Sequence, residues 1–137
     1  MSDSPENERL LKSIKTLART RSERSRKAMY MALLRSQLYV PVDGGDGGGV
    51  ERFLQDQPLQ GQPVYVVFTS LEALALWRPD HAEVVKMDGM SLFPALRDSQ
   101  AASVLINPKG QLGGELYRNE ISVLADAVPQ LRAWLDR

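Results

Sequence analysis

The residue types that commonly carry catalysis are sparse in this chain of 137 residues. It contains one histidine, His81, and no cysteine, which excludes thiolate nucleophiles and thiolate metal sites. A histidine base needs a nucleophile and an orienting acid around it, but only Asp80 is adjacent and Ser70 is eleven residues away. We therefore interpret His81 as a surface-loop residue. The sequence predicts no enzyme, no metal site and no cofactor; the alternative is a small enzyme with an unrecognised site.

A glycine-rich stretch at residues 43–49 raises the question of phosphate binding. Five of its seven residues are glycine, and the other two are Asp43 and Asp46. A phosphate-binding loop needs Gly-Lys-Ser/Thr leading into a helix, whereas two carboxylates would repel a phosphate. The stretch is therefore predicted to be a flexible loop, and the sequence leaves open whether it orders when a partner binds.

Positive charge is concentrated near the N-terminus, although the formal net charge of the chain is zero. Residues 1–27 contain 8 basic and 4 acidic side chains, and residues 28–137 contain 9 basic and 13 acidic ones. Such a basic arm is either a solvated helix face or a surface that binds an acidic partner. The candidate partner-binding cations of this arm are Lys12, Lys15, Arg19, Arg24 and Lys27.

The same arm could bind nucleic acid by neutralising phosphates. It lacks interleaved aromatic residues and a recognition helix, and the whole chain has no net positive charge. A nucleic-acid-binding regulator is therefore kept as the alternative function, and we expect a protein partner rather than a nucleic acid.

Hydropathy and composition indicate a cytoplasmic protein. No apolar run approaches the ~20 residues that a membrane span requires. The N-terminal residues are polar and acidic, whereas a secretory signal begins with basic residues and continues with apolar ones. The absence of cysteine fits a reducing compartment. We therefore expect a cytoplasmic location and no membrane contact.

Apolar spacing predicts a pair of N-terminal helices. Leu10, Ile14 and Leu17 form one helical stripe within residues 6–19, and a second stripe follows within residues 22–36. The two helices could pack as a hairpin against a sheet, or the first could project into a groove on a partner. A homodimer through these helices is a further alternative.

Apolar runs separated by short helical patterns predict a mixed sheet. The runs are residues 38–42, 64–68, 83–87 and 104–106. The predicted fold class is α/β (α+β), with a single mixed β-sheet of about four to five strands packed by short helices and preceded by the helical pair. Pro41 should lie at a sheet edge. Thr69 and Glu72 match a capping box, and Pro129 suits the first turn of a separate last helix.

Four residues outside the basic arm are weaker candidates for contacts with a partner: Trp77, Met90, Phe93 and Lys109. Met90 and Phe93 could form an adaptable apolar surface, or they could cover the sheet. Trp77 ends an apolar helical stripe and could instead close the edge of the core. Lys109 follows Asn107 and Pro108 in a turn whose other residues have structural roles, which leaves it as an exposed cation.

Three segments carry a family resemblance. They are residues 33–42 (LLRSQLYVPV), 67–77 (VFTSLEALALW) and 104–110 (VLINPKG), the last followed by Glu120 and Ile121. In this order they resemble the SseB-type N-terminal domain family, the bacterial "enhanced serine sensitivity" family. The resemblance covers roughly residues 22–126 and leaves the helix at residues 6–19 outside it. The predicted division is a basic helical arm at residues 1–21 and an SseB-like α/β domain at residues 22–137.

The resemblance implies a bacterial, cytoplasmic domain and brings no catalytic residues with it. A sulfurtransferase label attached to the family does not suit a chain that has no cysteine to carry a persulfide. Such domains also occur beside secretion systems and among immunity proteins of toxin loci. The predicted function is a non-enzymatic module that binds another protein and regulates or neutralises it.

Overall fold

The computed structural model describes residues 5–20, 23–43, 49–80, 83–99, 101–110 and 112–136. Within these ranges the α-helices are α1 (Pro5–Thr20), α2 (Glu23–Arg35), α3 (Leu71–Trp77), α4 (Gly89–Asp98) and α5 (Arg118–Leu135). The strands of the same ranges are β1 (Gln37–Pro41), β2 (Val64–Val67), β3 (Val84–Asp88), β4 (Ser103–Ile106) and β5 (Gly114–Tyr117). A short 3-10 helix covers Val50–Arg52. The predicted mixed α/β class with an N-terminal helical pair is confirmed.

The strands form two small sheets, so the prediction of a single sheet with four to five strands is wrong. β1 pairs with β3 in one antiparallel sheet, and the other has the order β2-β4-β5, parallel and then antiparallel. Two hydrogen bonds between Tyr39 of β1 and Phe68, the residue after β2, join the two sheets. Pro41, two residues further along the same edge of β1, has no N–H to extend this ladder, and its carbonyl accepts from Leu54 instead.

The helical pair belongs to the main apolar core. α1 and α2 pack against each other, and α1 buries Leu10 completely and Ile14 almost completely. These two side chains lie in the same core cluster as Leu33 of α2 and Ile106 of β4. The division into an arm at residues 1–21 and a domain at residues 22–137 stays a prediction, but the arm contributes to the core of the domain.

Two helix termini differ from the sequence prediction. Ser70 is the N-cap of α3, because its side chain accepts the N–H of Ala73 at 3.1 Å, so the predicted capping box beginning at Thr69 is wrong. α5 continues without interruption through Pro129, which was expected to begin a separate helix. Val128 and Leu131 on either side of this proline are both buried, and their packing favours a continuous helix despite the lost backbone hydrogen bond.

Candidate functional site

Small and apolar side chains of α2 lie on one side of the helix because of the helical repeat. Ser25, Ala28 and Ala32 follow one another at intervals of three and four residues, and Met31 lies between the last two. Ala28 and Met31 are exposed, whereas Met29, the core residue between them, is buried. The apolar stripe predicted within residues 22–36 therefore divides into a buried side and an open side.

The open side of α2 and the facing side of α1 form a groove with a volume of about 420 Å³. Ala28, Met31 and Ala32 supply its apolar lining, and Met31 is 43% exposed. The volume lies within the range of about 300–1,000 Å³ that is usual for ligand sites. Because methionine is unbranched and polarisable, Met31 can adapt to occupants of different shape.

Three cations line the same groove on its two sides. Arg9 and Lys12 come from α1 and Arg35 comes from α2, and all three are exposed. None of the lining residues that the structure describes is acidic, and no described carboxylate forms an ion pair with these cations. Among the residues that the structure describes, the groove therefore combines an apolar lining with positive charge that no carboxylate pairs with.

The five predicted cations of the arm do not all line this groove. Lys12 lines the groove. Arg19 and Arg24 are exposed but are not part of its lining. Lys15 and Lys27 are exposed but are not part of its lining.

Lys12 is the one lining residue that was predicted to bind a partner, and the residues missed include the groove's other two cations, Arg9 and Arg35, and its exposed Met31. A signal for two of them was present, because Arg24, Ala28, Met31 and Arg35 recur at i, i+4, i+7 and i+11. No comparable signal shows which faces of α1 and α2 would meet. The groove arises from the packing of one helix on the other.

The predicted apolar surface of Met90 and Phe93 is not present. α4 turns Phe93 inward, where it is completely buried in the main core, and Met90 is half-buried against the same core. Trp77 is 8% exposed, because Phe68 lies at a ring-centroid distance of 5.6 Å and the Arg78 guanidinium lies 4.4 Å from its ring. Its position supports the alternative that it closes a core.

Lys109 is exposed in the turn between β4 and β5 and does not line the groove. It adopts a positive φ of 69°, as Asn107 does with 52°. Partner binding by Lys109, Trp77 or Met90 stays a prediction.

A second cleft, of about 350 Å³, lies between the helical pair and β5 and contains Glu115 and Glu120. Glu120 Oε2 accepts the Tyr30 hydroxyl at 2.8 Å, and Oε1 accepts the Tyr117 N–H at 3.2 Å. Burial and the hydrogen bond to Glu120 raise the pKa of Tyr30 to about 12. This carboxylate therefore ties α2 to the start of α5.

Glu115 has two donors of its own. Its Oε1 accepts the Tyr117 hydroxyl at 2.9 Å and its Oε2 accepts the Ser103 hydroxyl at 2.6 Å. The hydrogen bond to Glu115 raises the pKa of Tyr117. Both phenols are thus protonated at neutral pH, and both carboxylates have structural hydrogen bonds.

The described ranges contain no group of three or more histidine, aspartate or glutamate side chains placed to hold a metal ion. His81 lies outside those ranges, as do residues 44–48 of the glycine-rich stretch, so the interpretations of both stay predictions. Across the helices that the structure describes, none is long and apolar enough to span a membrane.

Comparison with known proteins places the chain in a family. The family model of the SseB protein N-terminal domain matches residues 10–122. The match begins inside α1 and so includes most of the helix that the sequence analysis left outside the pattern. No curated protein matches the chain. Because the family model covers most of the sequence, from the helical pair to the first part of α5, the chain belongs to the SseB protein N-terminal domain family.

Proposed function

We propose that this domain binds another protein through the groove between α1 and α2, and that it regulates or neutralises that partner without catalysing a reaction. The observation that carries the proposal is the combination, in one groove, of an exposed apolar lining around Met31 with three cations from both helices. A bacterial, cytoplasmic setting and a secretion-associated or immunity-type role belong to the same proposal.

Three lining residues, Arg9, Met31 and Arg35, support protein binding. Arginine and methionine are enriched in protein interfaces, and arginine is common among the residues that contribute most to affinity. Covering Met31 would remove apolar surface from water, which contributes about 25 cal/mol per Å². The cations would steer an acidic partner toward the groove and fix its orientation. Apolar contact and charge therefore act at one place.

The titratable side chains of the second cleft support the non-catalytic part of the proposal, because they form structural hydrogen bonds. The Tyr30 and Tyr117 phenols have raised pKa values and donate to Glu120 and Glu115, respectively. A protonated phenol is a poor base or nucleophile at neutral pH. The carboxylates hold α2, β4 and α5 in place through these bonds.

Affinity capture from an extract of the source organism tests the proposal. The bait is the full-length chain, as wild type, as Lys12→Glu/Arg35→Glu and as the matched control Lys15→Glu/Lys27→Glu. Each variant reverses one charge on α1 and one on α2, and all four side chains are exposed. Deletion of residues 1–27 would be a poor test, because it would also remove Leu10 and Ile14 from the core.

We expect a protein that the wild type and the control capture equally and that the groove variant captures roughly tenfold less. Circular dichroism checks that both variants are folded. Equal capture by the two double variants would remove the groove from the proposal. Turnover of the captured partner by the wild-type domain would contradict its non-catalytic part.

A further inference from the structure

The groove has the length of a short helix. Its lining extends from Arg9 to Thr16 on α1 and from Ser25 to Arg35 on α2. At about 1.5 Å per residue these segments are about 10 and 15 Å long, which corresponds to two to three helical turns. An elongated groove of this length between two helices fits a third helix lying along them.

The side chains of α2 in the groove allow a helix to approach closely. Ser25, Ala28 and Ala32 are small, and helices with small side chains at the contact pack with axes about 8 Å apart. Met31 lies between them and could insert between apolar side chains of the occupant. Apolar residues at i, i+3 or i+4, and i+7 would face this lining.

The cations of the groove predict which charges a bound helix has on its flanks. Arg9 and Lys12 lie on one side of the groove and Arg35 lies on the other, so a helix between them has two cations on one flank and one on the other. Carboxylates on both sides of its apolar stripe would pair with them, whereas lysine or arginine at those positions would be repelled. We infer that the groove binds an acidic amphipathic helix of a partner protein. This inference rests on the proposed function and names the class of its partner.

Two other occupants fit the charges and the shape less well. In a twofold-symmetric dimer through these helices, the same surface of each copy would meet the other, so Arg9, Lys12 and Arg35 would face like charges. A flat anionic membrane would contact the cationic rim, but it would not fill a groove between two helices. Acidic helices supply both the charge and the convex apolar surface.

A displayed library of helical peptides of about 15 residues, with Asp, Glu, Lys, Gln, Ala and Leu at the variable positions, tests the inference. The selection uses the full-length wild-type chain. Each enriched peptide is then added to protein with labelled methionine methyl groups, and the signal of Met31 is followed. The Lys12→Glu/Arg35→Glu variant and the Lys15→Glu/Lys27→Glu control are titrated in parallel.

We expect enriched peptides with acidic residues flanking an i, i+3/i+4, i+7 apolar stripe. They should shift the Met31 signal and bind the groove variant roughly tenfold more weakly than the control. Enrichment of basic or neutral helices that shift Met31 would overturn the acidic class and leave the proposed function standing. If no peptide is enriched but a protein is still captured in a groove-dependent way, the helical class alone is overturned. If no peptide is enriched and capture does not depend on the groove, both the helical class and the proposed function are overturned. Groove-dependent self-association, or sedimentation with phosphatidylglycerol vesicles, would assign the groove to a second copy or a membrane instead.

Discussion

The Asn107 side chain forms hydrogen bonds with both the backbone N–H and the hydroxyl of Thr69, which lies 38 residues earlier in the chain. Asn107 Oδ1 accepts the Thr69 N–H at 3.0 Å, and Nδ2 donates to Thr69 Oγ1 at 3.1 Å and to the Leu112 carbonyl at 2.8 Å. Both residues are buried. The amide therefore joins the end of β4 to the segment between β2 and α3, and two motifs that carry the family resemblance form one structural contact.

Replacing Asn107 with alanine should destabilise the domain by roughly 2–4 kcal/mol. The change removes the buried hydrogen bonds of the Asn107 side chain to Thr69 and to the Leu112 carbonyl, and alanine tolerates the positive φ of this position poorly. Urea unfolding measures the loss. Asn107→Gly separates the two causes, because glycine keeps the backbone conformation and loses only the hydrogen bonds.

The control for this prediction is Asn119→Ala, since Asn119 is exposed at the start of α5. It should change the free energy of unfolding by less than about 0.5 kcal/mol. Equal losses for Asn107→Ala and Asn119→Ala would show that the contact with Thr69 is not important for stability.

Gly89→Ala should destabilise the domain by roughly 3 kcal/mol. Gly89 begins α4 against the end of α2, and an added Cβ would collide with the Leu33 carbonyl and lie 2.8 Å from Leu34 Cα. Neither backbone atom can move aside easily. Gly114→Ala is the control, because a Cβ there meets nothing within 4 Å. Thermal unfolding of the two variants compares them, and an equally stable Gly89→Ala protein would refute the close approach.

Stability should depend on Tyr30 in alkaline solution. Burial, and then the hydrogen bond to Glu120, raises its pKa from 10.0 to about 12. The unfolded chain loses this proton first, so the stabilisation is fully present below pH 10 and is lost as the pH rises through about 12. The stability difference between wild type and Tyr30→Phe should therefore be smaller at about pH 11, which lies within this range, than at about pH 8, which lies below it. A difference that is the same at both pH values would contradict the raised pKa.

Ser70→Ala should lower the free energy of unfolding by about 1 kcal/mol, because the N–H of Ala73 loses its acceptor at the start of α3. Ser91→Ala offers a matched control. Ser91 is exposed in the first turn of α4, where its N–H bonds to the Asp88 side chain and does not depend on the serine hydroxyl. Chemical denaturation of both variants decides whether Ser70 is the cap.

Local patterns predicted the helices better than the sheets. The spacing of Leu10 and Ile14 predicts α1 and its buried side, and both residues are buried. The splitting of the sheet depends on how β1 meets β2, which is a long-range contact. β5 was missed, because Gly114 and Glu115 give its four residues little strand character.

Local sequence patterns also could not predict hydrogen bonds between side chains that are distant in the chain. Asn107 was expected to have a structural role in its turn, but its partner Thr69 is set by the parallel pairing of β2 with β4. The groove has the same origin, since each of its sides comes from a different helix. Helical periodicity predicts that the cations of the arm are exposed. That Lys12 lines the groove and Lys15 does not depends on how α1 and α2 pack against each other.

Site-specific photocrosslinking in the source organism shows whether a partner protein contacts the groove between α1 and α2. A benzoylphenylalanine replaces Met31 in the groove or, as the control, Val123, which is 55% exposed on α5. Protein binding at the groove predicts a crosslinked partner from position 31 and none from position 123, with the crosslink lost in Lys12→Glu/Arg35→Glu and retained in Lys15→Glu/Lys27→Glu. Crosslinks of equal yield from both positions, or a crosslink at position 31 that the groove variant leaves unchanged, would contradict it.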